Sequence, residues 1–193
     1  MDLDYGQDLP PPPTPPQGGP GPTPPQGPAF TIVPRAQWGM QAPARRQEAL
    51  GKVTMITVHH TDFMPQWKGR SDAQIMTSID NGHHANGWPT IGYHFVIGRD
   101  GKVYQACDDT RLGIHTFRNN TGNLGIAVIG NFENALPVTA QLRALEAFLE
   151  NRRTRLGLAR RQVAGHRDHT KPGHTTCPGE RLHAWLLAYR ARA

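Results

Sequence analysis

Val53-Thr-Met-Ile-Thr-Val58, running straight into His59-His60-Thr61, is the stretch on which the fold turns. Its β-branched side chains are stiff at χ1 and suit a pleated backbone, so the run reads as a strand. Successive strand side chains point to opposite faces, so at most one of the two histidines at its end looks into a given site. A histidine at a strand end is ordinarily a hydrogen-bonded packing residue. A second signal elsewhere in the chain is needed before either imidazole counts as functional.

Outward from this strand the hydrophobic period switches repeatedly between two and 3.6, the mark of a mixed α/β architecture. Tyr93 to Ile97, Gly98-Arg99-Asp100-Gly101 and Lys102 to Gln105 read as a hairpin, and Leu124 to Ile129 as another strand. Ser71 to His84 reads as a helix with Ser71 at its N-cap and Ile75, Ile79 and His83 spaced by four. Thr139 is the expected cap of a second helix whose stripe is Leu142, Leu145 and Leu149. Gly179 to Arg192 is a third, with Leu182, Trp185, Leu186 and Tyr189 on one face.

The 193 residues suit one domain plus a tail, and the 37% apolar content is diluted by 18 prolines and 21 glycines bunched unevenly. Leu9 to Pro28 holds 11 of those prolines and nothing able to bury a core, so residues 1–29 are expected to be a disordered acidic and Pro/Gly-rich tail. Such a tail serves as a linker or as a docking ligand. The domain proper is expected to span 30–193. It contains all 21 Lys and Arg residues against 12 acids, a net +9, and from Arg143 onward eleven basic residues face four acids. That excess reads either as a solvated helix face or as attraction to an anionic envelope. No zinc finger, helix-turn-helix or aromatic RNA-binding signature supports a nucleic-acid partner.

No run approaches the roughly 18 apolar residues of a transmembrane segment. Met1 to Gln7 carries acids where a secretory signal carries lysines, so the chain is expected to be made in the cytoplasm without a signal peptide. Two cysteines, Cys107 and Cys177, allow at most one disulfide and exclude a cysteine-stapled fold.

The second signal lies between Val163 and Glu180, where V-A-G-H-R-D-H-T-K-P-G-H-T-T-C-P-G-E packs His166, His169, His174 and Cys177 into a dozen positions. Neutral imidazole and thiolate are the donors Zn²⁺ prefers, and two or three of them with one from a distant strand make an open hydrolytic site. A closed structural site needs four protein ligands, and no C-x-x-C pair is present to supply them. Two rivals stand beside this reading: a His-rich turn without function, and Cys177 as a thiol nucleophile beside His166.

Phe30-Thr-Ile-Val-Pro-Arg-Ala-Gln-Trp-Gly39, Val58-His-His-Thr61, Ile91-Gly-Tyr-His-Phe-Val-Ile-Gly-Arg-Asp-Gly101, Gly113-Ile-His-Thr116, Asn123 to Phe132, Gly165-His-Arg-Asp168 and Thr176-Cys-Pro-Gly179 occur in that order. The whole string resembles the zinc-dependent N-acetylmuramoyl-L-alanine amidases of the peptidoglycan-recognition-protein and phage-endolysin type, over essentially all of Phe30 to Ala193. The resemblance implies a single domain with a mixed central β-sheet flanked by helices. It implies a Zn²⁺ cofactor held by His59, His166 and Cys177, with water or hydroxide in the fourth position and His60 left as the packing partner. Tyr93 would position that water or the scissile carbonyl, and Thr175, two residues before the cysteine, would face the developing oxyanion. His60 and His115 are the substrate-contact candidates.

The activity so implied is cleavage of the amide between N-acetylmuramic acid and L-alanine in peptidoglycan. Some members that lose a zinc ligand bind peptidoglycan without cutting it, so a binding module is the alternative from another class. The loop from His166 to Cys177 is longer than the shortest family versions, and His169, Lys171 or His174 would crowd, assist or replace the assumed ligands. A cytosolic recycling branch carries glutamate where this chain has Ala127, which favours the wall-cleaving branch. The expected context is a monomeric endolysin reaching the wall after holin release, helped toward the anionic envelope by its basic C-terminal third. An exported antibacterial effector, addressed by the tail and held in check by an immunity protein, is the runner-up.

The remaining conspicuous residues have plainer readings. His83 and His84 end a helix as cap and core residues, Trp38 and Trp88 belong to the core, and Cys107 is a small buried hydrophobe.

Overall fold

The computed structural model describes residues 30–192, and the expected disordered tail lies outside the described residues. Six strands form one sheet: β1 (Ile32–Val33), β2 (Met55–His60), β3 (Phe95–Ile97), β4 (Val103–Gln105), β5 (Asn123–Val128) and β6 (Val163–Gly165), in the order β1-β4-β3-β5-β2-β6. Only the β3·β4 hairpin is antiparallel; β1·β4, β3·β5, β5·β2 and β2·β6 all run parallel. Four helices pack on it: α1 (Arg35–Trp38), α2 (Asp72–Ala85), α3 (Thr139–Leu156) and α4 (Glu180–Arg190). The single mixed α/β domain with flanking helices is the architecture the sequence implies.

Strand alternation divides the apolar side chains between two cores. On one face Ile56 and Val58 of β2, Phe95 and Ile97 of β3, and Leu124, Ile126 and Val128 of β5 meet Leu145, Phe148 and Leu149 of α3 and Leu182, Leu186 and Tyr189 of α4. On the other, Val96 and Ala127 meet Ile75, Met76 and Ile79 of α2, with Trp38 and Trp67 closing the cluster. Of the β2 residues on this second face, Thr57 and His59 are polar, buried and in neither core. Here the sheet carries chemistry in place of a covering apolar stripe.

Helix α2 begins as expected. Ser71 Oγ accepts from Gln74 N–H at 3.3 Å and Gln74 Oε1 accepts from Ser71 N–H at 2.9 Å, a reciprocal cap that satisfies two otherwise orphaned donors. Helix α3 departs by one residue: Val138 holds the cap position and Thr139 is the first helical residue, because Gln141 Oε1 accepts from Val138 N–H at 3.3 Å. Gln141 also donates to Ile129 O at 2.8 Å, tying the helix start to the end of β5. In α4, Leu182, Leu186 and Tyr189 are buried and Trp185 is partly so.

Phe148 is the anchor of the larger core. It lies edge-on to Phe95 at 4.8 Å and to Phe30 at 5.1 Å, and the Arg152 guanidinium sits 5.1 Å from its ring centre. Phe148→Ala would lose this burial and leave a cavity that rigid neighbours only partly close, so chemical denaturation is expected to show a loss of about 3–5 kcal/mol with an unchanged slope.

Candidate metal centre

Strands β2 and β6 lie side by side and end at the same edge of the sheet, Val58 opposite Gly165. The next residue on each, His59 and His166, therefore emerges at one place, with ring centroids 4.6 Å apart. The loop after His166 returns through Cys177 to the start of α4, and Cys177 Sγ comes to 3.7 Å from His59 Nδ1. Ligand atoms of His59, His166 and Cys177 all lie within 4.8 Å of one another. A tetrahedral Zn²⁺ about 2.0–2.3 Å from each donor needs those donors roughly 3.3–3.8 Å apart, so small side-chain movements suffice to seat one.

The donor set suits such an ion in its electrostatics as well. Burial, followed by the neighbouring imidazoles, holds His59 well below the ordinary histidine range, which keeps it neutral as a ligand must be. Burial likewise lowers His166. It pushes the Cys177 thiol up to about 12, so a bare thiolate nucleophile is strongly disfavoured at neutral pH. A cation supplies what this environment lacks for ionising the sulfur.

Two residues of the G-H-R-D motif build the loop that carries the ligands. Asp168 Oδ2 accepts from Gly165 N–H at 2.9 Å, closing the turn around His166, while its other oxygen is 2.7 Å from His183 Nε2 on α4. Arg167 N–H donates to Cys177 O at 2.9 Å, and its guanidinium reaches Thr176 O and pairs with Glu180. The segment bearing His166 and the segment bearing Cys177 are thus joined by one residue. Neither Arg167 nor Asp168 is a sequence candidate, although both stand beside His166 in the G-H-R-D motif.

The three donors open onto a cavity of about 450 Å³ that Trp88, Tyr93, His115 and Asn120 also line. Tyr93 faces His59 at 5.2 Å between ring centroids, and burial raises its hydroxyl so that it stays a proton donor. His60 lines the cavity too; its Nδ1 is buried without a hydrogen-bond partner among the described residues. His115 borders the cavity with both ring nitrogens engaged by the protein, Nε2 with Asn123 O and Nδ1 with Thr116 Oγ1 and His59 Nε2. The expected substrate contact thus has no spare ring nitrogen.

Thr175 stands apart from this lining. Its Oγ1 accepts from Cys177 N–H at 3.2 Å, and it borders a neighbouring hollow with Arg167 and Lys171. His169 is held by Thr57, with Nε2 2.9 Å from Thr57 Oγ1, while Lys171 and His174 are exposed. Trp38 is buried as expected, whereas Trp88 is half-buried and lines the cavity, its ring 4.5 Å from that of His83. Cys107 is buried and unbonded to Cys177. Among the described residues no helix is long and apolar enough to cross a membrane.

Residues 49–180 match the sequence profile of the family described as N-acetylmuramoyl-L-alanine amidase. A human protein of that name is 37% identical over 158 residues, 78% of this chain, which spans only 27% of the human protein's length. An endolysin N-acetylmuramoyl-L-alanine amidase, LysCS of Clostridium intestinale URNW, superposes with a TM-score of 0.66 at 26% identity, over 84% of this chain and 97% of that one. Peptidoglycan recognition protein LE, solved with tracheal cytotoxin, a monomeric diaminopimelic acid-type peptidoglycan, superposes at 0.73 with 25% identity, over 82% and 93%.

Arg167→Ala would keep the backbone bond to Cys177 O but lose the guanidinium's hold on Thr176 O and Glu180, loosening the two ligand segments without touching a ligand. Zinc affinity, read by competition with a metal indicator, is expected to fall about tenfold, in line with the cost of losing an outer-shell support.

Proposed function

Because this chain belongs to the N-acetylmuramoyl-L-alanine amidase family, we propose that residues 30–193 form a zinc-dependent hydrolase cutting the amide between the lactyl group of N-acetylmuramic acid and L-alanine. The observation that carries this reading is the convergence of His59, His166 and Cys177 at the floor of an open cavity beside Tyr93. When bound there, Zn²⁺ supplies a nucleophile at neutral pH and polarises the scissile carbonyl.

The chain's own residues do the rest. Tyr93, kept protonated by burial, offers its hydroxyl to the carbonyl oxygen, where a donor aimed at developing charge is most effective. His60 presents its unpartnered Nδ1 to a substrate polar group, which would satisfy a buried atom. The Trp88 ring at the cavity mouth offers a flat apolar surface to a sugar. Thr175 accepts from the Cys177 backbone N–H, which leaves its own O–H free as the donor toward the oxyanion.

The substrate is peptidoglycan, consistent with the cytotoxin bound to the recognition-protein neighbour. Likeness to the LysCS endolysin supports a lytic enzyme that acts on the cell wall. Attraction to the anionic envelope draws on the basic C-terminal third. There Arg152, Arg153, Arg160, Arg167, Arg190 and Arg192 are each ion-paired with an acid, so the attraction is long-range and screened by salt.

Purified walls incubated with the protein are expected to lose turbidity and gain free L-alanine amino groups, and a chelator should abolish both. Cys177→Ala is expected to lose stoichiometric zinc together with hydrolysis. Tyr93→Phe should keep its zinc and lose roughly 10²–10³-fold in kcat. Wall binding without released amino groups, in a zinc-loaded wild type, would make the protein a recognition module. Activity that survives chelation and falls to iodoacetamide would restore the thiol nucleophile.

A further inference from the structure

We infer that His115 is a positioning residue that fixes the tautomer of His59, so that His59 Nδ1 faces Cys177 as a lone pair ready for a metal. The inference rests on the metal-hydrolase reading for its consequence, but the hydrogen bonds that carry it are properties of the protein alone.

The assignment follows the protons along a chain of contacts. Asn123 O is a carbonyl and can only accept, so His115 Nε2, 3.1 Å away, must carry the hydrogen. In a neutral imidazole the other nitrogen is then a lone pair, so His115 Nδ1 can only accept, with Thr116 Oγ1 as one neighbour at 3.0 Å. The same Nδ1 lies 3.1 Å from His59 Nε2. Were His59 to hold its proton on Nδ1, two lone pairs would face each other across that distance in a buried place. His59 therefore carries its proton on Nε2, and the lone pair on Nδ1 points to Cys177 Sγ at 3.7 Å.

The position of His115 is itself set from several sides. Its backbone N–H and that of Thr116 both donate to Asn120 Oδ1, at 3.0 and 2.7 Å, which clamps the loop. The ring lies against β5 where Gly125 leaves room: a Cβ at 125 would stand 2.6–2.8 Å from three of its ring atoms. A ligand imidazole whose free nitrogen is already aimed, with its other N–H satisfied, binds metal without first breaking a wrong hydrogen bond.

Two near-isosteric variants separate orientation from packing. In His115→Asn the side-chain oxygen can stand where Nδ1 stood and accept from His59, whereas His115→Leu fills the space with no acceptor. Long-range ¹⁵N-edited NMR of the metal-free wild type should find His59 with its proton on Nε2, and His115→Asn should match it. His115→Leu should show mixed His59 tautomers and a zinc affinity lower by about 10–100-fold, with His115→Asn within a few-fold of wild type.

A wild-type His59 protonated on Nδ1 overturns the inference whatever the variants do. So does an equal loss of affinity in the two variants, which would mean that only the ring's bulk matters. A wild type with the expected tautomer that binds no zinc would leave the tautomer assignment standing and remove the metal-hydrolase reading instead.

Discussion

Val58 of β2 stands opposite Gly165 of β6, and each is followed by a histidine. Parallel pairing in that register makes both chains leave the sheet at the same edge, so two imidazoles more than a hundred positions apart meet without any long side chain reaching for them. Open sheets of this kind place ligands beyond the carboxyl ends of their strands, where successive loops converge. The division of the opposite face between helix α2 and the Thr57–His59 row follows from the same alternation. One set of β2 residues feeds the apolar core under α3 and α4, and the other is released for polar work.

The third donor cannot be delivered by the sheet, and the loop that brings it is held by charge-assisted hydrogen bonds. Arg167 and Asp168 work in opposite directions from one turn, the first gripping the strand of chain around Cys177 and the second gripping Gly165 and α4. Charged donors and acceptors of this kind are stronger and more directional than neutral ones, which suits a segment with little apolar content of its own. One buried and two half-buried ligands, carried on hydrogen-bonded segments, border the cavity together.

Much of this was legible in the sequence because it rests on periodicity and spacing. The β-branched run ending in His59, the Ser71 cap, the hairpin at Gly98 to Gly101 and the stripe of α4 all reappear close to where they were read. The short strands β1 and β6, two and three residues long, have too few positions for a period to register, and they appear only once paired. The α3 cap lies one residue earlier, at Val138, whose own N–H is held by Gln141 Oε1, and no side-chain oxygen takes the acceptor place expected of Thr139. His115 read as a substrate contact by its place in a motif; its hydrogen bonds to Asn123 and His59 depend on packing across β5, which no linear pattern encodes. Trp88 reads as core because tryptophan ordinarily is, yet its position beside His83 turns it to the cavity.

Gly125 occupies the middle of a fully buried strand, where the missing side chain loses backbone order worth about 0.5–1 kcal/mol relative to alanine. The vacancy it leaves is filled by an imidazole from another loop. A larger residue there would gain local backbone order but place its Cβ 2.6–2.8 Å from three atoms of that imidazole, so both the packing and the aligned ligand next door would suffer. Durability and function both depend on the bare α-carbon at this one position, so engineering for heat resistance is better directed to the exposed helix surfaces.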